Sequence, residues 1–289
     1  MHHIDAGSEV DPATVPPGVD PYHTNVGRLY SLLINPTEGQ FFPIDVKVRA
    51  QLEAAVPEIR DIAHGNRVFV RRATRYLVEH GIRQIIDLGS GLPADQNTHE
   101  VAHAIDPGVR VIYDDKDPMT VAHAQHLLRG VPNVAFLPAD AREPEAILDH
   151  PTTRELIDFD QPVGLMMASI LHLFGDTDTH ALVRRYLDAV PSGSYLALSH
   201  TRVAGERPPH DGPPAARVEA LLEVMNRAGD PMVFRTNEEI RRYFDGLELV
   251  PPYDGAKEDL SWANRWGAKD PGLVYQTGTW VLAGVGRKP

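Results

Sequence analysis

The sequence predicts an α/β fold, a mostly parallel sheet with helices on both faces. Three observations carry this. From Gln84 onward, short apolar runs alternate regularly with segments of helical periodicity. The stretch Ile85-Ile86-Asp87-Leu88-Gly89-Ser90-Gly91 reads as a buried strand that ends in a glycine turn and runs into a helix. That unit is how an α/β sheet grips a nucleotide-like ligand. The last strand-like run, 279–286, follows its predecessor with no clear helix between them, so the closing pair is expected to be antiparallel.

In chain order, residues 1–20 read as a flexible tail rich in Pro and Gly. Residues 21–80 read as a helical cap. Within it, 25–35 form a short amphipathic piece broken by Asn35-Pro36. Residues 44–63 carry Val48, Leu52, Val56, Ile59 and Ala63 at helical spacing, with Pro57 interrupting. Asn66 is expected to open a further helix that Gly81 stops. One face of that helix is apolar; the other carries Arg67, Arg71, Arg72 and Arg75 and reads first as a solvated face, second as a contact for a ligand carboxylate. Residues 81–289 form the α/β domain. Strands are expected at 84–88, 109–114, 133–137, 162–168, 193–200, 246–250 and 279–286. Helices are expected near 95–105, 118–129, 143–149, 178–190, 214–228 and 236–244. An aromatic insertion, 252–278, holds Tyr253, Trp262, Trp266 and Tyr275.

Composition narrows the chemistry. The 289 residues are 42% hydrophobic, enough for one large core. There is no cysteine, which excludes disulfides, thiolate nucleophiles and Cys-zinc sites and makes a reducing cytoplasm the default expectation. No run reaches membrane-span length and the N-terminus lacks a signal-peptide pattern. The net charge is −12 with no basic stripe, so nucleic acid and anionic lipid are not expected partners. His2-His3 is not read as a metal site. A small-molecule partner is expected; nothing in the sequence sets an oligomeric state.

Acids recur at the ends of successive strands: Asp87, then Asp114-Asp115-Lys116, then Asp140-Ala141. Ligands in open α/β sheets sit beyond the carboxyl ends of strands, so these converge on one site. An acid after the second strand can accept both hydroxyls of a ribose. Asp140 could accept from an adenine amino group. The letters also spell Gly89-x-Gly91-x-x-Ala94, a dinucleotide pattern. Asp87 decides between them, because it repels a pyrophosphate and attracts a cationic amino-acid moiety. S-adenosylmethionine (SAM) is therefore favoured over NAD, with S-adenosylhomocysteine as the product ligand. The expected cofactor-binding residues are Asp87, Gly89, Ser90, Gly91, Asp115, Lys116, Asp140, Ala141 and Ser169.

The chain also resembles an actinobacterial SAM-dependent methyltransferase family once known only as a domain of unknown function, DUF574. The resemblance spans roughly 25–289. It is carried by Asn66-Arg67-x-Phe69-x-Arg71-Arg72, GIRQIIDLGSGLP (81–93), Asn97-x-His99-Glu100-Val101-Ala102, VIYDDKDP (111–118), ADAREPEAIL (139–148), GSYLALSH (193–200) and AGVGRKP (283–289). It implies the class I methyltransferase (Rossmann-like) fold, with seven strands in the order 3-2-1-4-5-7-6 and strand 7 antiparallel. It maps the ribose acid onto Asp115 rather than Asp114. One segment departs from the family pattern. Arg28 and Tyr30 match, but Ser31 stands where an Asp is usual, and a Gly-Gly-Lys-Asp-Asn-Phe run is replaced by 35–42. The acceptor chemistry is the property this departure touches.

Methyl transfer needs the acceptor in line at close range, and positioning can supply much of the rate. A general base, typically His, assists an oxygen or nitrogen acceptor. His200 and His172, at the ends of strands 5 and 4, are the candidate bases, His200 the favoured one. His99 reads as structural. Tyr22, His23, Arg28, Tyr30, Trp262 and Trp266 are the candidate acceptor-binding residues. The reading is a SAM-dependent methyltransferase acting on a small-molecule O or N acceptor, such as a secondary metabolite. Its rivals are a SAM-binding enzyme that transfers no methyl and a non-catalytic SAM-binding regulator.

Overall fold

The computed structural model describes residues 10, 15, 18–36, 41–92, 96–175, 177–203, 212–270, 272 and 279–289. Most of the 1–20 tail, Ala94 of the dinucleotide pattern, most of the Pro-rich stretch 203–214 and Tyr275 lie outside these residues.

Three helices precede the sheet: α1 (Val26–Ile34), α2 (Pro43–Ala55) and α3 (Ile59–Glu79). The Asn25 side chain caps α1 by accepting from the Gly27 and Arg28 amides. Pro43 starts α2 where its missing N–H costs nothing, and Pro57 separates α2 from α3. Asn66 does not open a helix, as the sequence suggested. α3 runs unbroken from Ile59 through Gly65-Asn66 to Glu79. The Asn66 side chain, which reads locally as a cap, is used in tertiary hydrogen bonds to Tyr30 and Ser199.

The sheet then forms from β1 (Gln84–Asp87), β2 (Arg110–Asp115), β3 (Val134–Pro138), β4 (Gly164–Ala168), β5 (Tyr195–Thr201), β6 (Glu248–Leu249), β7 (Ser261–Trp262) and β8 (Val281–Arg287). Between them lie α4 (Thr98–His103), α5 (Pro118–Leu127), α6 (Pro144–Leu148), α7 (Pro151–Leu156), α8 (Thr179–Asp188), α9 (Ala215–Ala228) and α10 (Asn237–Arg241). The order is β3-β2-β1-β4-β5-β8-β6, which is the expected 3-2-1-4-5-7-6 with the last strand counted as the seventh. β8 runs antiparallel to β5, from Tyr195 opposite Arg287 to Thr201 opposite Val281. Two elements were not anticipated: α7, and β7, by which the aromatic insertion adds a short strand against Leu282 and Ala283.

Strand alternation divides the core. Ile85, Val111, Met166, Ala197 and Val285 face one side, with Phe69 and Leu77 of α3. Ile86, Ile112, Leu165, Leu198 and Leu282 face the other, under α6 and α8. Both faces are apolar because both are covered, as a doubly wound sheet requires.

Candidate functional site

A cavity of about 240 Å³ opens at the carboxyl ends of β1, β2 and β4 and extends under α1, α3 and α9. Its two ends differ. One is lined by Asp87, Gly89, Ser90, Gly91, Asp115, Lys116, Asp140 and Ala141. The other is apolar, with Leu29 and Leu33 from α1, Ile62 and Val70 from α3, and Met225, Phe234 and Trp280. Ser169 and His172 lie in the same lining.

At the polar end the glycine loop folds back onto acids of β2. The Gly89 amide donates to Asp114 Oδ2 at 3.3 Å, and the Gly91 amide to Asp115 Oδ2 at 3.1 Å. Both glycines have positive φ, 60° and 70°, which favours glycine. Their surroundings differ. A Cβ on Gly89 would lie 2.5 Å from the Ile170 side chain, whereas a Cβ on Gly91 meets nothing within 4 Å. Gly91 therefore keeps the approach to the loop clear, and Gly89 keeps the loop seated on Ile170.

The acids are perturbed in different ways. Burial pushes Asp87 up to about 6, against the opposing Thr98 hydrogen bond and the Arg67 charge. Thr98 Oγ1 donates to Asp87 Oδ2 at 2.6 Å. Burial raises Asp114 well above the usual carboxylate range, and the neighbouring acids add to that. Asp114 Oδ1 is buried with no hydrogen-bond partner. Asp115 is the less buried of the pair; its Oδ1 accepts from the Asp117 amide. Asp140 is clasped by the Arg142 guanidinium, in a fork-like pair. This end fits a ligand with a cationic amino-acid group, a diol and a planar polar ring. It supplies clustered carboxylates, an unpartnered buried oxygen and a glycine whose open side leaves room for the ligand.

The expected acceptor residues are not brought together. Tyr22 is 67% exposed, and His23 is exposed and paired with Asp20. Arg28 is buried but faces away from the cavity; its Nε bonds Asp45 Oδ2 at 3.0 Å, which locks α1 to α2. Trp266 is core, edge-on to Phe69 and Tyr76. Trp262 stacks with Arg265 outside the cavity. Of this set Tyr30 alone lies in the lining.

The two histidines separate. His172 lines the cavity, and burial, then the His200 ring beside it, lowers it well below the ordinary imidazole value. His200 is not in the lining. Along β5, Ser199 and Thr201 face the cavity side, so His200 faces the opposite one. There it packs against Tyr243, its Nδ1 donates to the Thr201 carbonyl at 2.6 Å, and burial lowers it to about 4. The expectation that a strand-end histidine points at the ligand failed on this alternation. His99 is structural, bonded to the Tyr113 hydroxyl.

Several lining residues were not expected at the site from the sequence: Asn66, which was read as a helix start, and Asp230, Phe234 and Trp280. Arg67 was named as one of four arginines on a face and in a family motif, not as a cofactor residue. It alone of the four lies in the lining, near Asp87, with Nη2 bonded to Asn97 Oδ1. Arg72 instead holds the Asn264 and Trp266 carbonyls, and Arg75 pairs with Glu79 at the surface. Among the described residues no cluster of acids and histidines could hold a metal ion, and no helix is long and apolar enough to cross a membrane.

Comparisons with known proteins agree with this fold. The profile of the S-adenosyl methyltransferase family matches residues 12–289. A Thermobifida fusca YX protein, solved as a candidate methyltransferase, is 35% identical over 94% of this chain and 98% of its own, with a TM-score of 0.83. A DUF574 family protein from Streptomyces avermitilis MA-4680 is 31% identical over 92% of this chain and 98% of its own, with a TM-score of 0.81. No curated protein sequence matches the chain. With the profile covering nearly its whole length and two solved relatives above 30% identity aligned over more than nine-tenths of it, the chain belongs to the S-adenosyl methyltransferase family and is a SAM-dependent methyltransferase.

Proposed function

We propose that the protein methylates an oxygen or nitrogen of a small, largely apolar acceptor. The observation that carries this is the continuity of the cavity: a carboxylate-rich end and an apolar end share one space, with Ser169 and His172 in its lining. SAM, when bound, supplies an electrophilic methyl group on a sulfonium sulfur. Asp87 and Arg67 hold the charged amino-acid part, the acid for the amine and the guanidinium for the carboxylate. Asp115 accepts from the ribose hydroxyls, and Asp140 with Ala141 borders the base. Gly89, Ser90 and Gly91 form the floor, with Lys116 at the rim.

Helices α1–α3 act as the cap, residues 21–80, over the acceptor end. Leu29, Leu33, Ile62, Val70, Phe234 and Trp280 desolvate the acceptor and hold it by apolar burial. His172 is neutral at pH 7, since its pKa is lowered, and in preference to His200 it takes up the proton after methyl transfer, when methylation has acidified the O–H or N–H that Ser169 does not itself deprotonate. Positioning in a water-poor chamber carries most of the rate. The test is transfer of isotope-labelled methyl from SAM into a fractionated cell lysate. Label is expected in the small-molecule organic extract, on oxygen or nitrogen. Label in protein or nucleic acid, or on carbon, would overturn the acceptor assignment.

A further inference from the structure

A chain of hydrogen bonds runs through the cavity wall, with Tyr30, Asn66 and Ser169 in the lining. Tyr30 Oη contacts the Ala63 carbonyl at 3.1 Å, and Asn66 Nδ2 contacts Tyr30 Oη at 3.0 Å. Ser199 Oγ contacts Asn66 Oδ1 at 2.6 Å, and Ser169 Oγ contacts Ser199 Oγ at 3.3 Å. The direction of every proton follows from one end. A carbonyl only accepts, so the single Tyr30 hydroxyl proton goes to Ala63. Tyr30 must then accept from Asn66, which turns the Asn66 carbonyl toward Ser199. Ser199 has one proton and gives it to that carbonyl. What remains for Ser199 is to accept, so Ser169 donates to it.

Ser169 is thus left with lone pairs and no free proton. Its backbone has φ 56°, a left-handed conformation uncommon for a serine, directly after β4. Asn66 and Ser199 are buried, so the chain is fixed away from solvent. Ser169 itself lies in the cavity lining.

We infer that Ser169 Oγ is the acceptor-reading group of this enzyme: it accepts a hydrogen bond from the O–H or N–H that is to be methylated. The inference rests on the proposed function and narrows its substrate class to neutral, apolar hydroxyl or amine compounds that carry a proton on the reacting atom. Ser199, Asn66 and Tyr30 are positioning residues that hold the Ser169 proton away from the cavity. The arrangement also separates substrate from product. An ether has no proton to offer Ser169, so methylation of a hydroxyl removes the contact and favours release.

Binding of matched naphthalenes to the protein saturated with S-adenosylhomocysteine tests this. 2-Naphthol carries the proton, 2-methylnaphthalene has the same shape without it, and 2-methoxynaphthalene is the methylated form. Affinities come from calorimetry. In Ser169→Ala the preference for 2-naphthol over 2-methylnaphthalene is expected to fall roughly tenfold, the worth of one buried hydrogen bond. Ser169→Gly, which suits the positive φ, repeats the deletion if the alanine variant folds poorly. In Ser199→Ala the Ser169 hydroxyl becomes free to donate, so 2-methoxynaphthalene is expected to gain several-fold relative to 2-naphthol. A purely structural role for Ser199 does not produce that reversal. An unchanged preference in both Ser169 variants, no gain for the ether in Ser199→Ala, or no binding of any naphthalene to the folded protein overturns the inference. Because the readout is binding, failure of methyl transfer with these shifts present would sink the proposed acceptor chemistry and leave the reading of Ser169 standing.

Discussion

His200 gives a stability test that does not depend on knowing the acceptor. Its Nδ1 must carry the proton, because the Thr201 carbonyl it contacts only accepts, and its Nε2 is buried without a partner. Burial of this ring outweighs the Thr201 hydrogen bond and the Glu239 charge that favour the protonated form, so its folded pKa is depressed to about 4, against 6.5 in the unfolded chain. Between those values the unfolded chain takes up a proton that the fold refuses. Stability is therefore intact above pH 6.5 and is lost as the pH falls toward 4. At about 1.36 kcal/mol per pH unit, the gap is worth ~3 kcal/mol. Asp87 acts in the opposite sense. Its folded pKa is raised to about 6 from 3.8, so below pH 6 the fold takes up a proton first and gains stability as the pH falls. The two effects mask each other in the wild type. The variant His200→Asn keeps a donor near Nδ1 for the Thr201 carbonyl and removes the titration, while Asp87 stays in both proteins. Urea unfolding at intervals from pH 7 to pH 4 should show the wild type losing ~3 kcal/mol relative to the variant. Curves that stay parallel across that range would mean the His200 ring is hydrated or paired, and the buried placement would be wrong.

Four further outcomes follow from the site. Asp115→Ala should weaken SAM binding at least tenfold by calorimetry, since hydrogen bonds to a charged group are worth about 1.5–3 kcal/mol each before compensation; undiminished affinity rejects it as the ribose acid. SAM affinity should decline as the pH falls below about 6, where Asp87 takes up a proton, and Asp87→Asn should flatten that decline. Gly91→Val should abolish SAM binding with an unchanged circular dichroism spectrum, its stability cost limited to the strain of a side chain at positive φ, whereas Gly89→Val should lower the melting temperature further, because it adds a collision with Ile170 to the same strain; the reverse pattern would mean the loop faces the other way. Trp266→Ala should cost about 3–5 kcal/mol of stability, as a core aromatic does, and leave SAM affinity unchanged in the folded protein.

The sequence alone determined the sheet and which acids and glycines gather at one edge of it. Both depend on signals that are local in the chain. Apolar runs such as Ile85-Ile86 can only be buried strands, and a glycine loop after such a strand must lie at its carboxyl end. The acids of β1, β2 and β3 then converge because parallel strands all end on the same edge. Only the tertiary structure decided the apolar end of the cavity. Its residues come from α1, α3, α9 and the start of β8, far apart in the chain, and no periodicity links Leu29 to Trp280. Trp280 is there because β8 is antiparallel, which sets its beginning beside the end of β5. Asn66 looked like a helix start and became a buried tertiary link. His200 looked like a base, but the two-residue period of β5 turned it to the far face. A side chain's distance along the strand is written in the sequence; which face of the strand meets the ligand is settled only when the helices pack.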